Sequence, residues 1–484
     1  MKQIPPPPSS CSCCRRDFIR AAGMMAGAAL LDGISVATAG EAESKPRKKQ
    51  PAKILGAFLY PPSESLRKAG YWSWPGSTFD AEARQKQYTA KLRELERTLG
   101  ILLVLEEKPL DEPPSVSRFV AAVKEEKPDG LLLIPFKKSH WQQVVEIVRE
   151  TRVPTVVFAG LGVLLSEQIT ELYRKPGVYL ISALDDLEAV GYGLRMIRTI
   201  RRMKDSRLLC IRGTSTASAT VPRLGTEIRF IPHARFVEEY QATKVDDEVR
   251  ALAESYRKNA KEIVQPTAAD IVDAAKTYFA LKRLVAAEHA DAVMMECLSG
   301  LRHPRKHPPP CMGFMSLRDE GVPAGCQADL NATLTLMLVQ QLFDKPGFQQ
   351  NAAMNTERNL FFGAHCTAPS RMRGCSARPE PYVLMSHAEA GWGCVPRVLF
   401  TAGHEATIAL YLSGEKPQMI IYPGKIVGCP PIPVAGGCRT NIEMTINEVS
   451  DVCDVKGMHQ IIFYGNHGRH LRAFCQLKDI AVVS

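Results

Sequence analysis

Between residues 54 and 296 the chain alternates short apolar runs with longer amphipathic stretches, and that rhythm restricts the fold more than any other feature. The runs at 54–60, 130–134, 155–159, 208–211 and 292–296 have strand length, whereas 81–99, 141–151, 186–203 and 268–288 carry apolar residues at helical spacing. Strands joined through helices return parallel to one another, so the pattern predicts parallel sheets flanked by helices. Two such α/β domains are expected, at 53–177 and 178–300. Gly160-Leu161-Gly162 follows a strand but lacks the third glycine of a dinucleotide fingerprint, so no nicotinamide cofactor is expected. Arg195, Arg198, Arg201, Arg202 and Lys204 read as the solvated face of a helix rather than as an anion site.

The texture changes at residues 302–310, RHPRKHPPP, a basic and proline-rich stretch that reads as a connector between domains rather than a histidine metal site. Beyond it, 330–342 has the apolar content of one clear helix. Short β-rich runs punctuated by Gly and Pro follow, ending at 461–464. The expected fold class is therefore α/β, with two parallel-sheet domains followed by a mostly β, barrel-like C-terminal domain at 301–484.

The N-terminus carries a different kind of information. Arg15-Arg16-Asp17-Phe18-Ile19-Arg20 precedes an uncharged run at 21–31, and Ala37-Thr38-Ala39 has the small residues of a cleavage site. This is the pattern of a twin-arginine export signal at 1–39, followed by a polar linker at 40–52. The run is too short to span a bilayer, which takes ~20 apolar residues. The expectation is a protein exported to the periplasm already folded, with no stable membrane anchor after cleavage. The net charge of +10 is spread along the chain rather than gathered on one face, which argues against a nucleic-acid partner. The 14 cysteines are irregularly spaced in a large chain and read mostly as small buried hydrophobes rather than a disulfide framework.

Candidate chemistry lies in the C-terminal region. His and carboxylate side chains at several strand ends are how a divalent ion is held, though no two of these residues share a metal-ligand period. The segments MGFMSLRDEGVPAGCQADLNATLTLMLVQQLFDKPGF and FFGAHCTAP, then HAEAGWG, GCRTNIE and YGNH, resemble the C-terminal part of the L-fucose/L-arabinose isomerase family. The resemblance covers about the last 175 residues. It implies two α/β domains with a barrel-like third, homo-oligomeric assembly, and aldose–ketose isomerisation of a monosaccharide assisted by Mn²⁺ or another divalent cation.

Carried over by motif, the metal positions fall on Gln327, Asn351, His365 and His467. Both positions that are acidic in the family are amides here. An amide neither balances a cation nor shuttles a proton, so a catalytically altered or inactive carbohydrate-binding descendant is the alternative reading. Glu320, Asp329 and Glu389 are the carboxylates that could supply acid–base chemistry in their place, although Glu320 also reads as a turn residue and Asp329 as a helix N-cap. His387, Trp392 and Arg439 are candidate sugar contacts, Trp392 as an apolar platform and Arg439 as a donor to hydroxyls. Packing and a structural salt bridge are the competing readings of the last two.

The export reading is directly testable. Replacing Arg15 and Arg16 together by Lys should leave the protein in the cytoplasmic fraction of an expressing cell, whereas the unaltered chain is recovered from the periplasm.

Overall fold

The structure is a computed structural model and describes residues 36–38, 45–69, 76, 78–430 and 437–483. The arginine pair, the apolar run at 21–31 and Cys11, Cys13 and Cys14 lie outside the described residues. Of the expected cleavage site, Ala37 and Thr38 belong to strand β1 (Val36–Thr38), while Ala39 lies outside.

The chain is mixed α/β. Its first sheet holds β2 (Lys53–Leu59), β3 (Leu102–Leu105), β4 (Gly130–Pro135), β5 (Thr155–Gly160) and β6 (Val178–Ala183), all parallel in the order β3-β2-β4-β5-β6. Helices α1 (Ser63–Ala69), α2 (Ala81–Leu99), α3 (Pro113–Glu126), α4 (Trp141–Thr151) and α5 (Ser166–Leu172) connect these strands. β4 is buried along its whole length, because helices cover both faces of the sheet. The boundary expected at 178 is displaced: β6 pairs with β5 and completes this first sheet.

Helix α6 (Glu188–Asp205) leads into a second sheet of β7 (Arg207–Ile211), β8 (Ala217–Thr220), β9 (Glu227–Ile231), β11 (Ala292–Met295) and β12 (Ala324–Cys326), in the order β1-β8-β9-β7-β11-β12. β9, β7, β11 and β12 are parallel. Helices α7 (His233–Ala242), α8 (Asp247–Asn259), α9 (Ala268–Ala287) and α10 (Cys311–Asp319) accompany it. The boundary expected at 301 is displaced as well, since α10 and β12 finish this sheet. The supposed linker is also fixed: Arg47 bonds to Glu227 and to the Ser206 carbonyl, and Lys49 pairs with Asp291.

The third part is a curled antiparallel half-barrel. It comprises β13 (Phe348–Gln349), β14 (Asn351–Asn355), β15 (Leu360–His365), β18 (Glu405–Leu412), β19 (Gln418–Gly428), β20 (Thr440–Ile446) and β21 (Ile461–Tyr464), with β22 (Ala481–Val483) parallel on β19. A smaller sheet of β10 (Glu262–Ile263), β16 (Tyr382–Met385) and β17 (Val395–Val398) accompanies it, its Leu384 and Val398 sharing a core with Phe361 and Ile442. Helix α12 (Gly468–Lys478) returns to the first sheet, where Gln476 bonds to the carbonyls of Tyr173 and Val178.

Helix α11 (Leu330–Phe343) joins the sheets. Its sequence is apolar on nearly every side, and ten of its residues are buried. Such a helix has no face to give to water and must be packed all round. It lies against α6, β11 and β12 on one side and β18 and β21 on the other. Its threonines are satisfied in place: Thr335 bonds to the Asn331 carbonyl and accepts the Tyr411 N–H at 2.8 Å. The basic face of α6 is solvated only in part: Arg202 and Lys204 are exposed, Arg195 and Arg201 half-buried and Arg198 buried. Arg198 is 7 % exposed and donates to the carbonyls of Leu99 and Gln341, at the C-terminal ends of α2 and α11, where cations are favoured.

The expected connector at 302–310 is anchored. His307 is buried, its Nδ1 lies 2.8 Å from the Pro308 carbonyl and its Nε2 3.1 Å from His233 Nε2. Because α11 is shared by two sheets, Leu338→Ala should lower stability by about 2–5 kcal/mol, read as a shift in the urea midpoint.

Candidate functional site

In open parallel sheets the carboxyl ends of the strands are where ligands bind, because loops there diverge and leave a crevice. In the second sheet those ends carry Glu296 and Cys297 after β11 and Gln327 after β12. The turn after β12 is strained: Gln327 and Ala328 have φ of 58° and 51°, and Asp329 N–H closes it onto the Cys326 carbonyl at 3.2 Å. Two successive non-glycine residues in the left-handed region cost ~1–2 kcal/mol each.

Asp329 ends this turn and caps α11, accepting from Ala332 N–H at 2.9 Å. Its other oxygen holds His459 Nδ1 at 2.7 Å. The His459 ring in turn meets His365 edge-on at 5.7 Å. His365 ends β15, is 5 % exposed, and has no hydrogen-bond partner at either ring nitrogen. Burial, then the charges of His459, Arg318 and His387, press its pKa down to about 3, so it is neutral.

Arg318 closes the site from below. It is buried, donates to the Ala324 carbonyl at 2.7 Å and to Gln349 Oε1 at 3.4 Å, and leaves one terminal nitrogen unpartnered. Among the described residues no carboxylate pairs with it. Gln349 is fully committed, taking the Cys326 N–H at 2.9 Å and giving to the Cys326 carbonyl at 3.3 Å, as a neighbouring strand would.

The loop after β16 covers the other side. Arg439 Nε donates to the Ser386 carbonyl at 2.8 Å, tying that loop to the start of β20. His387 is buried and accepts from Ala390 N–H through Nδ1, which leaves the proton on Nε2. Burial, and next the charge of Arg439, lower its pKa to about 4. Glu389, at the loop tip, is exposed, and its charge acts to raise the thiol pKa of Cys297, Cys366 and Cys438. Trp392 has one ring face covered by the Arg305 guanidinium at 4.4 Å, and its indole N–H is buried without a partner.

These positions correct several expectations. Asn351 pairs with Ala364, one residue before His365, and side chains alternate across a strand, so Asn351 and His365 take opposite faces of the sheet. Gln349, two residues earlier, is the amide beside the Cys326–Gln327 turn. His467 stacks on Phe343 at 4.2 Å, at the far end of α11 from Asp329, about 20 Å along the axis. Glu320 caps the C-terminus of α10, bonds to Tyr278 and Lys282, and lines a separate cavity of about 490 Å³. Cys311, at the other end of α10, packs with Cys366, which puts Glu320 roughly 13 Å from the cluster. Asp329 is an N-cap, with a second role toward His459.

The donors do not fit a resident divalent ion. No group of three or more His, Cys, Asp or Glu is poised for one among the described residues, one amide is spent on Cys326, and His467 is remote. Sequence reasoning missed Arg318 and His459, and within the matching segment 348–351 it put the amide at Asn351 rather than Gln349. Only Arg318 left a trace, as the one cation on an apolar helical pattern in MGFMSLRD. Protein-family models and curated proteins were both compared with the chain, and none matches.

Neutral, buried imidazoles set the acid response. The unfolded chain binds protons below the ordinary histidine value while the folded site does not, so stability falls as pH drops from about 6.5 toward 4. Each such imidazole contributes up to about 1.4 kcal/mol per pH unit. Asp319, pushed up to about 6 by burial, acts in the opposite direction between its unfolded value and 6. Urea midpoints at pH 5 and 7 should therefore differ less in His387→Gln than in the unaltered chain.

Proposed function

We propose that this chain is an exported protein of sugar-isomerase-like build that binds a monosaccharide at the carboxyl edge of the second parallel sheet. The observation that carries this reading is His365. A buried imidazole unpartnered at both nitrogens costs about 1–3 kcal/mol for each unmet group. Sugar hydroxyls both donate and accept, so a bound polyol would satisfy both nitrogens in either tautomer. His387 and the indole N–H of Trp392 offer further polar contacts, and an aromatic ring such as that of Trp392 suits the apolar face of a pyranose. Arg439 would share its donors between the Ser386 carbonyl and ligand hydroxyls. In this reading the division into two α/β domains and a barrel-like third places the ligand between the second and third. Homo-oligomeric assembly and periplasmic location belong to the same proposal.

Aldose–ketose isomerisation is the second reading, favoured by the Asp329–His459 pair. With Nδ1–H given to Asp329, the Nε2 of His459 is free to take a proton, which is what enediol formation asks of a base. Glu389 is the other nearby acid–base group. Because the donors do not suit a divalent ion, no step is assigned to one.

A panel of neutral aldoses and ketoses, read by thermal shift, tests binding. At least one should raise Tm, and Arg439→Met should weaken that ligand by about tenfold or more, the worth of a charged hydrogen bond. Absence of any sugar-dependent shift would refute the reading. For the second reading, the stabilising sugar is held in D₂O and followed by NMR. Deuterium entry at C1 or C2 that disappears in His459→Asn supports it, and no exchange eliminates it.

A further inference from the structure

We propose that Cys366 and Cys438 are a reversible dithiol–disulfide pair, a modification site at the rim of the His365 cluster. Cys366 directly follows β15 and Cys438 lies two residues before β20. These strands pair with His365 opposite Thr440, and continuing that register sets Cys366 opposite Arg439, with Cys438 one residue beyond. Opposed Cα atoms lie about 4.5–5.5 Å apart and the one-residue diagonal is roughly 6 Å, within the Cα separation a disulfide spans. The thiols hydrogen-bond to each other and share a small apolar pocket with Cys311 and Val395.

The two thiols differ in access. Cys366 is 5 % exposed, whereas Cys438 is half-buried and follows the exposed Gly437. The Cys438 thiol pKa is held below its ordinary value, first by its hydrogen bond with Cys366; burial and the Glu389 carboxylate oppose this, and Arg439, next in the chain, adds to it, which favours the attacking thiolate. The other described cysteines are all free; Cys311 packs against this pair, and among the rest only Cys453 is exposed. The structure thus holds one accessible thiol backed by one concealed thiol, the arrangement of an attacking and a resolving cysteine.

The step needs a disulfide oxidant. The Cys438 thiolate attacks one sulfur of the oxidant's disulfide, and the other sulfur leaves as a thiolate that takes up a proton. Cys366, losing its proton, then attacks the Cys438 sulfur and expels the second oxidant thiol. Two protein thiols are oxidised by two electrons and one disulfide is reduced to two thiols. Because Arg439 holds the Ser386 carbonyl, closing the bond beside it alters how the His387 loop is tethered.

The full chain is equilibrated in glutathione buffers from fully reduced to fully oxidised, alkylated, digested and examined by mass spectrometry. The expected result is joint loss of alkylation at Cys366 and Cys438, appearance of the peptide that links them, and reversal by dithiothreitol. Cys366→Ser should instead trap glutathione on Cys438, and Cys438→Ser should leave Cys366 alkylated throughout. Should Cys366→Ser fail to fold, the unaltered chain and Cys438→Ser decide the matter. Alkylation of both residues at every poise, or a linked peptide that joins either one to Cys311 instead, overturns the proposal. None of these readouts depends on a sugar.

Discussion

Burial of helix α11 is the constraint on which the rest of the structure depends. A 14-residue helix with apolar side chains on nearly all sides cannot stand at a surface. It needs a sheet on each flank, and the chain supplies two of different kinds. The second parallel sheet covers one side and the antiparallel half-barrel the other. The polar ends of the helix are then met individually, by the Asp329 cap at its start and by Arg198 on the Gln341 carbonyl near its finish. Arg198 also reaches the end of α2, so one buried guanidinium links the first sheet's helices to α11.

The position of the site follows from this packing. The N-terminal end of α11 coincides with the carboxyl ends of β11 and β12, and the strained Gln327–Ala328 turn is what lets the chain pass from strand to cap in so few residues. His459 arrives from the half-barrel because β21 runs antiparallel to β18 along the same helix. A polar cluster is thereby sealed between two apolar surfaces. In that setting an unmet hydrogen bond is costly, and the unpartnered nitrogens of His365 and Arg318 are the groups a ligand would satisfy.

Much of the fold was legible in the sequence, and the misreadings share a cause. The helices at 186–203, 268–288 and 330–342 lie within two residues of those observed, because helical periodicity is a local property. The domain boundaries at 178 and 301 were displaced, because strand pairing is not local. Nothing in 178–183 says that it joins the strand before it rather than the one after, and nothing in 324–326 says that it pairs with β11. Arg198 was misread for the same reason: charge pattern alone does not reveal that two helix C-termini will lie against it.

The candidate site divides in the same way. From the sequence alone came the export pattern, the α/β rhythm, the apolar helix with Asp329 as its cap, and the two motifs that bring His365 and His387 to strand ends. These depend on residue type and short spacing. Only the tertiary structure decided which residues meet. It chose Gln349 over Asn351, because β13 ends on β21 and β14 begins on β15, so the two amides belong to opposite edges of the sheet although only one residue separates them. It chose His459 over His467, because the two lie at opposite ends of β21 and only one end meets the start of α11. It also brought Cys366 to Cys438 across 72 residues through the pairing of β15 with β20, a contact set by long-range hydrogen bonding that no local pattern encodes.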